Sequence, residues 1–182
     1  MTKNVGFCVE LADVYIKKGS ALGLVRDYRQ SVSCFQKALK IQEDALDHNH
    51  LCLALTLHNL GVAETEIGEL IDAETNLTRS IEIMRAGLKQ DSKEVAETIC
   101  CLGDVMWRQF NYERAIQLYR ESATIQRKLF KGDSLNLAQT LCKLGFAYEI
   151  VKNYRTAIAF YNECLQIRKS QLGENHHLVS TV

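Results

Sequence analysis

VAETICCLGDVMWRQFNYERAIQLYRESATIQRKLF, residues 95–130, holds the structural unit of this chain. Val95, Ile99, Leu102 and Met106 recur at steps of four, three and four, which is one apolar stripe along a helix. Gln109-Phe110-Asn111 breaks the pattern. A second stripe follows in Ala115, Ile116, Tyr119, Ala123, Ile125 and Leu129, reaching about Phe130. Lys131-Gly132-Asp133-Ser134 closes that helix, with Gly in the terminal turn and Asp or Ser placed to cap the next. Upstream, Asp91 with Glu94 three later has the form of a capping box. The unit is two helices, and loops this short make neighbours antiparallel.

The unit recurs at a constant step of forty-two positions. Leu60-Gly61, Leu102-Gly103 and Leu144-Gly145 keep the step, as do Tyr28, Leu70, Tyr112 and Tyr154. So do Ser31, Ala73, Ala115 and Ala157, then Phe35, Leu77, Tyr119 and Tyr161, then Ala38, Ser80, Ser122 and Cys164. Ala54, Ala96 and Ala138, with Thr56, Thr98 and Thr140, complete the set. The copies fall at approximately 5–50, 51–92, 93–134 and 135–177, with a fifth beginning at 178–182. Gly61, Gly103 and Gly145 sit mid-helix, where Gly costs about 1 kcal/mol against Ala, so a partner helix must press close there. The expected facing contacts are Ala73, Ala115 and Ala157, with the following large side chain filling the space beside them. A hairpin of two helices cannot cover its own apolar faces. The copies therefore stack, and the expected fold is all-α, a right-handed superhelical solenoid of antiparallel helix pairs.

The first copy departs from the others. Leu11-Ala12-Asp13-Val14-Tyr15 pairs with Leu144-Gly145-Phe146-Ala147-Tyr148. In that pairing Ala12 stands sixteen positions before Tyr28, whereas Gly145 stands nine before Tyr154. Seven residues are then inserted within Lys18–Arg26, as extra helical turns or as a protruding loop.

Composition narrows the function. The chain has 182 residues, with 22 Lys+Arg against 22 Asp+Glu and 47% hydrophobic residues. That mix is globular, and zero net charge argues against nucleic acid bound through bulk positive charge. Proline is absent, which suits long helices. No apolar run reaches membrane-spanning length, and Met1–Glu10 has no secretory pattern. Seven cysteines, an odd number with no CxxC, read as free thiols in a reducing, cytoplasmic setting.

The Leu-Gly, Tyr, Ala, aromatic and small-residue columns resemble the tetratricopeptide repeat, whose common unit is about 34 residues. The longer form found here, with Leu-Gly-Glu-Asn-His-His at 172–177 before a new helix, is similar to the kinesin light chain type. Glu43, Arg85, Arg127 and Lys169 stand where the common form places a proline, consistent with a longer second helix. The resemblance implies binding of a partner peptide or helix along the first helices, by asparagines and basic residues. Asn59 matches the asparagine column; Glu10, Cys101 and Lys143 replace it elsewhere.

No catalytic constellation is present: there is no GxxxxGK[ST], HExxH or GxSxG. The chain reads as non-enzymatic, with no cofactor and no metal. His48 and His50, like His176 and His177, fall in equivalent inter-repeat loops and read as solvated. Cys100 aligns with Cys142 and His58, on the flank away from the buried stripe.

The candidate peptide-binding residues lie off the apolar stripe of the first helices: Asn59, Glu66, Asp104, Trp107, Arg108, Lys143 and Phe146. Trp107 either anchors a partner or packs on the next repeat. Arg108 and Lys143 suit a carboxylate, and Asn59 a peptide backbone. Six acids on this wall (Glu10, Asp13, Glu66, Glu97, Asp104, Glu149) against Lys17, Arg108 and Lys143 disfavour an acidic peptide. The expected function is an adaptor that binds a protein or peptide and neither nucleic acid nor membrane. The alternative is an architectural spacer or self-association segment of a larger protein. No polar closing helix follows Val182, so a longer array or end-to-end self-association is expected.

Overall fold

The computed structural model describes residues 5–88, 91–130 and 134–172. Among them are eight α-helices and no strand: α1 Val5–Leu24, α2 Tyr28–Ala45, α3 Leu51–Ile67, α4 Leu70–Leu88, α5 Lys93–Arg108, α6 Tyr112–Phe130, α7 Leu135–Ile150 and α8 Tyr154–Leu172. The chain divides into two compact units, Met1–Gln90 and Asp91–Val182. In the first unit α1 pairs with α2 and α3 with α4, and α2 packs on α3. In the second α5 pairs with α6 and α7 with α8, and α6 packs on α7. The expected turn at Lys131–Asp133 and the start of a fifth copy at 178–182 lie outside the described residues, as do His176 and His177.

All four hairpin turns are built alike. Arg26, Gly68, Phe110 and Lys152 have φ of 63°, 86°, 62° and 62°, and they fall at the same place in successive copies. The amide after each reaches back across the helix end: Asp27 to Leu22 O, Glu69 to Glu64 O, Asn111 to Met106 O and Asn153 to Tyr148 O, at 2.8–3.0 Å. The amide of the left-handed residue itself bonds Gly23 O, Thr65 O, Trp107 O or Glu149 O. This pair of bonds is a Schellman ending, which satisfies the last free carbonyls of the first helix. The next residue then starts the second helix. Asp27, Asn111 and Asn153 accept side-chain caps from the Gln30, Arg114 and Thr156 amides. Glycine suits the left-handed position best, yet only Gly68 uses it.

The nearest neighbours of the mid-helix glycines are the large side chains of the second helix. A Cβ on Gly103 would lie 2.5 Å from the Tyr119 ring, and one on Gly145 2.5 Å from Tyr161. At Gly61 the near atoms are Leu77 Cγ at 2.6 Å and, further off, Ala73 O at 3.2 Å. Ala73, Ala115 and Ala157 are buried, and at Gly61 the Ala73 carbonyl joins the contact.

Gly19 joins the same column, its would-be Cβ 2.8 Å from Phe35. Ala12 accordingly falls with Ala54, Ala96 and Ala138, all fully buried. Gly19 and Arg26 thus stand 42 positions before Gly61 and Gly68, with nothing inserted within Lys18–Arg26, and α1 runs on as one helix. The apparent slip has a physical source. Seven residues are about two helical turns, so a shift of seven leaves the apolar stripe on the same face. In the true register the asparagine column of the first copy holds Lys17, not Glu10.

Small polar groups fasten the hairpins. Ser31 Oγ donates to Gly19 O, Ser80 Oγ to Ala54 O and Ser122 Oγ to Ala96 O, at 2.7–2.8 Å, all buried. The expected cap at Asp91 is made instead by Ser92, whose hydroxyl accepts from Val95 N at 3.3 Å. Ser134 caps α7 through Asn136 N, and His50 caps α3 through Cys52 N, so this histidine is more than a solvated loop residue. Second helices of successive hairpins are tied by Arg79 to Glu43 (2.5 Å) and by Arg127 to Glu163 (2.8 Å). The same two columns carry both pairs with the signs exchanged. At these exposures each pair is worth about 0–1 kcal/mol.

One hairpin breaks the apolar rule. The columns that hold Leu22 and Cys34, Met106 and Leu118, and the stacked rings Tyr148 and Phe160 hold Glu64 and Asn76 in the second copy. Glu64 is 2% exposed and accepts from Asn76 Nδ2 at 2.8 Å. Burial pushes its carboxyl up to about 7, against the pull of Asn76.

Candidate functional site

The wall of first helices is best defined in the second unit, where α5 and α7 face each other along a ladder of side-chain rungs. Asn136 Nδ2 donates to Glu97 Oε1 at 2.6 Å, and Lys93 lies 3.6 Å from the same carboxylate. One turn on, Cys100 Sγ meets Thr140 Oγ1 at 3.8 Å. Cys100 is 8% exposed, so it is a packed residue between helices and not a flank residue as its alignment implied. Next, Lys143 Nζ donates to Asp104 Oδ2 at 2.6 Å and to Cys100 Sγ at 3.5 Å. Tyr119 Oη donates to Asp104 Oδ1 at 2.8 Å, and Lys143 sits over the Tyr119 ring at 5.7 Å.

This cluster is charged but closed. Burial disfavours the Lys143 ammonium; Cys100 and Asp104 beside it outweigh that, and its pKa lies above the ordinary lysine value. Burial, then Asp104, pushes the Tyr119 phenol up. Burial likewise raises both thiols, Cys101 to about 12, so neither is a thiolate at neutral pH. The sequence leaves Lys143 available for a partner's carboxylate; in the structure its carboxylate is Asp104.

At the turn end the wall becomes aromatic. Trp107, half-buried, packs on Phe146 with centroids 5.1 Å apart and on Tyr112 at 4.7 Å. Of the two readings of Trp107, the structure shows the packing one: the ring lies on Phe146 of the next repeat's first helix. Phe146 is 49% exposed, and Phe110, in its left-handed turn, meets the edge of Tyr112 at 6.3 Å. Arg108 follows Trp107 at the exposed end of α5.

In the first unit Asn59 is half-buried on α3, and Glu66 is exposed two turns further along the same helix. Thus the structure pairs Asp104 with Lys143 and Trp107 with Phe146, while Asn59 and Glu66 belong to the other unit. Tyr112 and Tyr119 escape a sequence-based site list because their repeat columns read as packing. The signal that points to the rungs is the common spacing of Glu97/Asn136, Asp104/Lys143 and Trp107/Phe146, three positions short of the repeat and so close to one helical turn. Among the described residues no group of three or more His, Cys, Asp or Glu could hold a metal ion. No described helix is long and apolar enough to cross a membrane.

The tetratricopeptide repeat family model matches residues 10–86 and 94–181, and the chain belongs to that family. No curated protein sequence matches it. Among solved structures it is similar to BtubC (BKLC) from P. vanneervenii, with 20% identity over 92% of this chain and 66% of that one and a TM-score of 0.82. It is also similar to the nearly identical TPR-like repeats of a putative kinesin light chain from Podosopora anserina, with 16% identity over 94% and 81% and a TM-score of 0.80. A third is the Rap conjugation gene regulator of plasmid pLS20 in complex with the Phr* peptide, with 20% identity over 89% and 43% and a TM-score of 0.72. At these identities the likeness is one of fold.

Proposed function

We propose that this chain is a non-catalytic scaffold that holds a partner peptide or helix against its first helices, in the cytoplasm. The observation that carries the reading is the half-open aromatic pair Trp107–Phe146, braced by Tyr112 and flanked by the closed Lys143–Asp104 pair. Aromatic anchors with one face open supply binding area at little entropic cost, while paired charges around them set position. The peptide complex of the Rap regulator, on a similar fold, supports this reading. Glu97, Asp104 and Glu149, three of the acids read on this wall, are held by Asn136, Lys143 and Tyr161.

The test is a peptide array probed with the chain, followed by calorimetry on the best binder. Trp107→Ala should weaken binding by about 2 kcal/mol, roughly thirtyfold, with helicity unchanged. Full retention of every captured peptide by a folded Trp107→Ala/Arg108→Glu variant would refute the reading.

A second reading, self-association, draws on α1. Leu11 is 39% exposed although its column mates Leu53, Val95 and Leu137 are fully buried, and Phe7 and Val14 continue the exposed stripe. Sedimentation of the chain and of Leu11→Glu would separate the two. A monomer in both cases would overturn self-association.

A further inference from the structure

Between α2 and the α3–α4 turn of the first unit lies a cavity of about 320 Å³, lined by Arg29, Val32, Ser33, Gln36, Ile67 and Glu69. Steps of three and four put the four α2 residues on one face of that helix. Val32 and Ile67 make an apolar base, since both belong to the core cluster of Phe35 and Leu60. The other four lining side chains are polar and exposed. They set a guanidinium and a carboxylate around the same space. Among the described residues neither Arg29 nor Glu69 makes a side-chain hydrogen bond or an ion pair, with each other or with any neighbour.

The arrangement is peculiar to this joint. Glu69 stands in the column of Asp27, Asn111 and Asn153, whose side chains turn back to cap the next helix. Glu69 makes no such cap and lines the cavity instead. At the corresponding joint of the second unit, between α6 and the α7–α8 turn, Glu113 replaces Arg29 and Asn153 replaces Glu69. Gln117, in the place of Ser33, is bonded there to Arg114. The acidic side of the cavity also repels its own carboxylates. The Glu64 carboxyl, raised mainly by burial, is pushed further by Asp72 and Glu69. A cation entering beside Glu69 relieves that repulsion, while Arg29 offers forked donors to an anion.

We propose that this cavity binds a free aliphatic amino acid, its carboxylate on Arg29 and its ammonium on Glu69. A zwitterion carries both charges in one small molecule, and the cavity has the size of the smaller ligand sites, which run from about 300 to 1,000 Å³. Ser33 and Gln36 supply a hydroxyl and an amide for the remaining polar bonds. Val32 and Ile67 receive a short apolar side chain, and no ring lines the cavity to stack on an aromatic one. The site belongs to the unit that does not hold Trp107 and Phe146, so it stands independently of peptide binding there.

The test titrates the isotope-labelled full chain with L-leucine and follows the backbone amide shifts by NMR. Saturable shifts are expected at Arg29, Ser33, Gln36 and Glu69. N-acetyl-leucine lacks the ammonium and leucinamide lacks the carboxylate. Each should bind about tenfold more weakly, and N-acetyl-leucinamide should leave these amides unmoved. In Arg29→Gln the advantage of L-leucine over leucinamide should vanish; in Glu69→Gln its advantage over N-acetyl-leucine should vanish. Both side chains are exposed, so both variants keep the fold. No saturable shift with L-leucine, or equal binding of N-acetyl-leucinamide, overturns the proposal. So does tighter binding of the blocked peptide acetyl-Lys-Gly-Glu-amide, which presents the two charges on side chains and would make the cavity a contact for a partner chain.

Discussion

At the scale of single residues the molecule sets backbone need against side-chain identity. Lys152 occupies a left-handed position with its side chain in solvent. Lys152→Gly should remove that strain and raise stability by about 0.5–1 kcal/mol, read from the urea midpoint at constant slope. Gly103 is the opposite case. Its helical backbone would take any residue, but the Tyr119 ring leaves no room for a methyl. Gly103→Ala should therefore cost about 1–3 kcal/mol despite its better helix propensity, and thermal unfolding would show it. The sequence shows both positions as members of a column. It does not show which of them is constrained by φ and which by a neighbour, because a repeat reports position and not cause.

At the scale of elements each hairpin is held by its packed helix pair and, in the first three, by a buried hydroxyl-to-carbonyl bond. Ser122→Ala should lose about 0.5–1.5 kcal/mol, since the Ala96 carbonyl keeps its helical bond. Glu64 introduces a pH dependence. Its carboxyl titrates near 7 in the folded chain and near 4.5 when unfolded. The native state then binds the proton more tightly, so this group destabilises the fold as pH rises from about 4.5 to 7, and the penalty is complete above that. Glu64→Gln keeps the acceptor for Asn76 and removes the charge. It should stabilise the protein on the order of 2 kcal/mol at pH 8 and far less at pH 5, by urea unfolding at the two pH values. Equal gains at both would show that Glu64 is not the titrating group. The pairing of Glu64 with Asn76 is not legible in the sequence, because twelve positions and a turn separate them and neither fits an apolar stripe.

At the scale of the whole molecule the period of the sequence predicts helix pairs, and helix pairs are found. The register of α1 is easily misread because a two-turn slip preserves an apolar face; Gly19 against Phe35 settles it. The candidate site was legible as a set of residues freed from packing, which named Asp104, Lys143, Trp107 and Phe146. Their partnership was not. Binding should therefore respond to Phe146→Ala as to Trp107→Ala, while Lys143→Met, which strands the Asp104 carboxylate beside Tyr119, should lower stability more than affinity. Chemical denaturation alongside calorimetry checks this. The sequence by itself determined the helices, their antiparallel pairing and the family, because those follow from the period of apolar and small residues along one chain. Only the tertiary structure decided which charges are already paired and which rings pack together. Those depend on side chains far apart in the chain arriving within a few ångströms of one another.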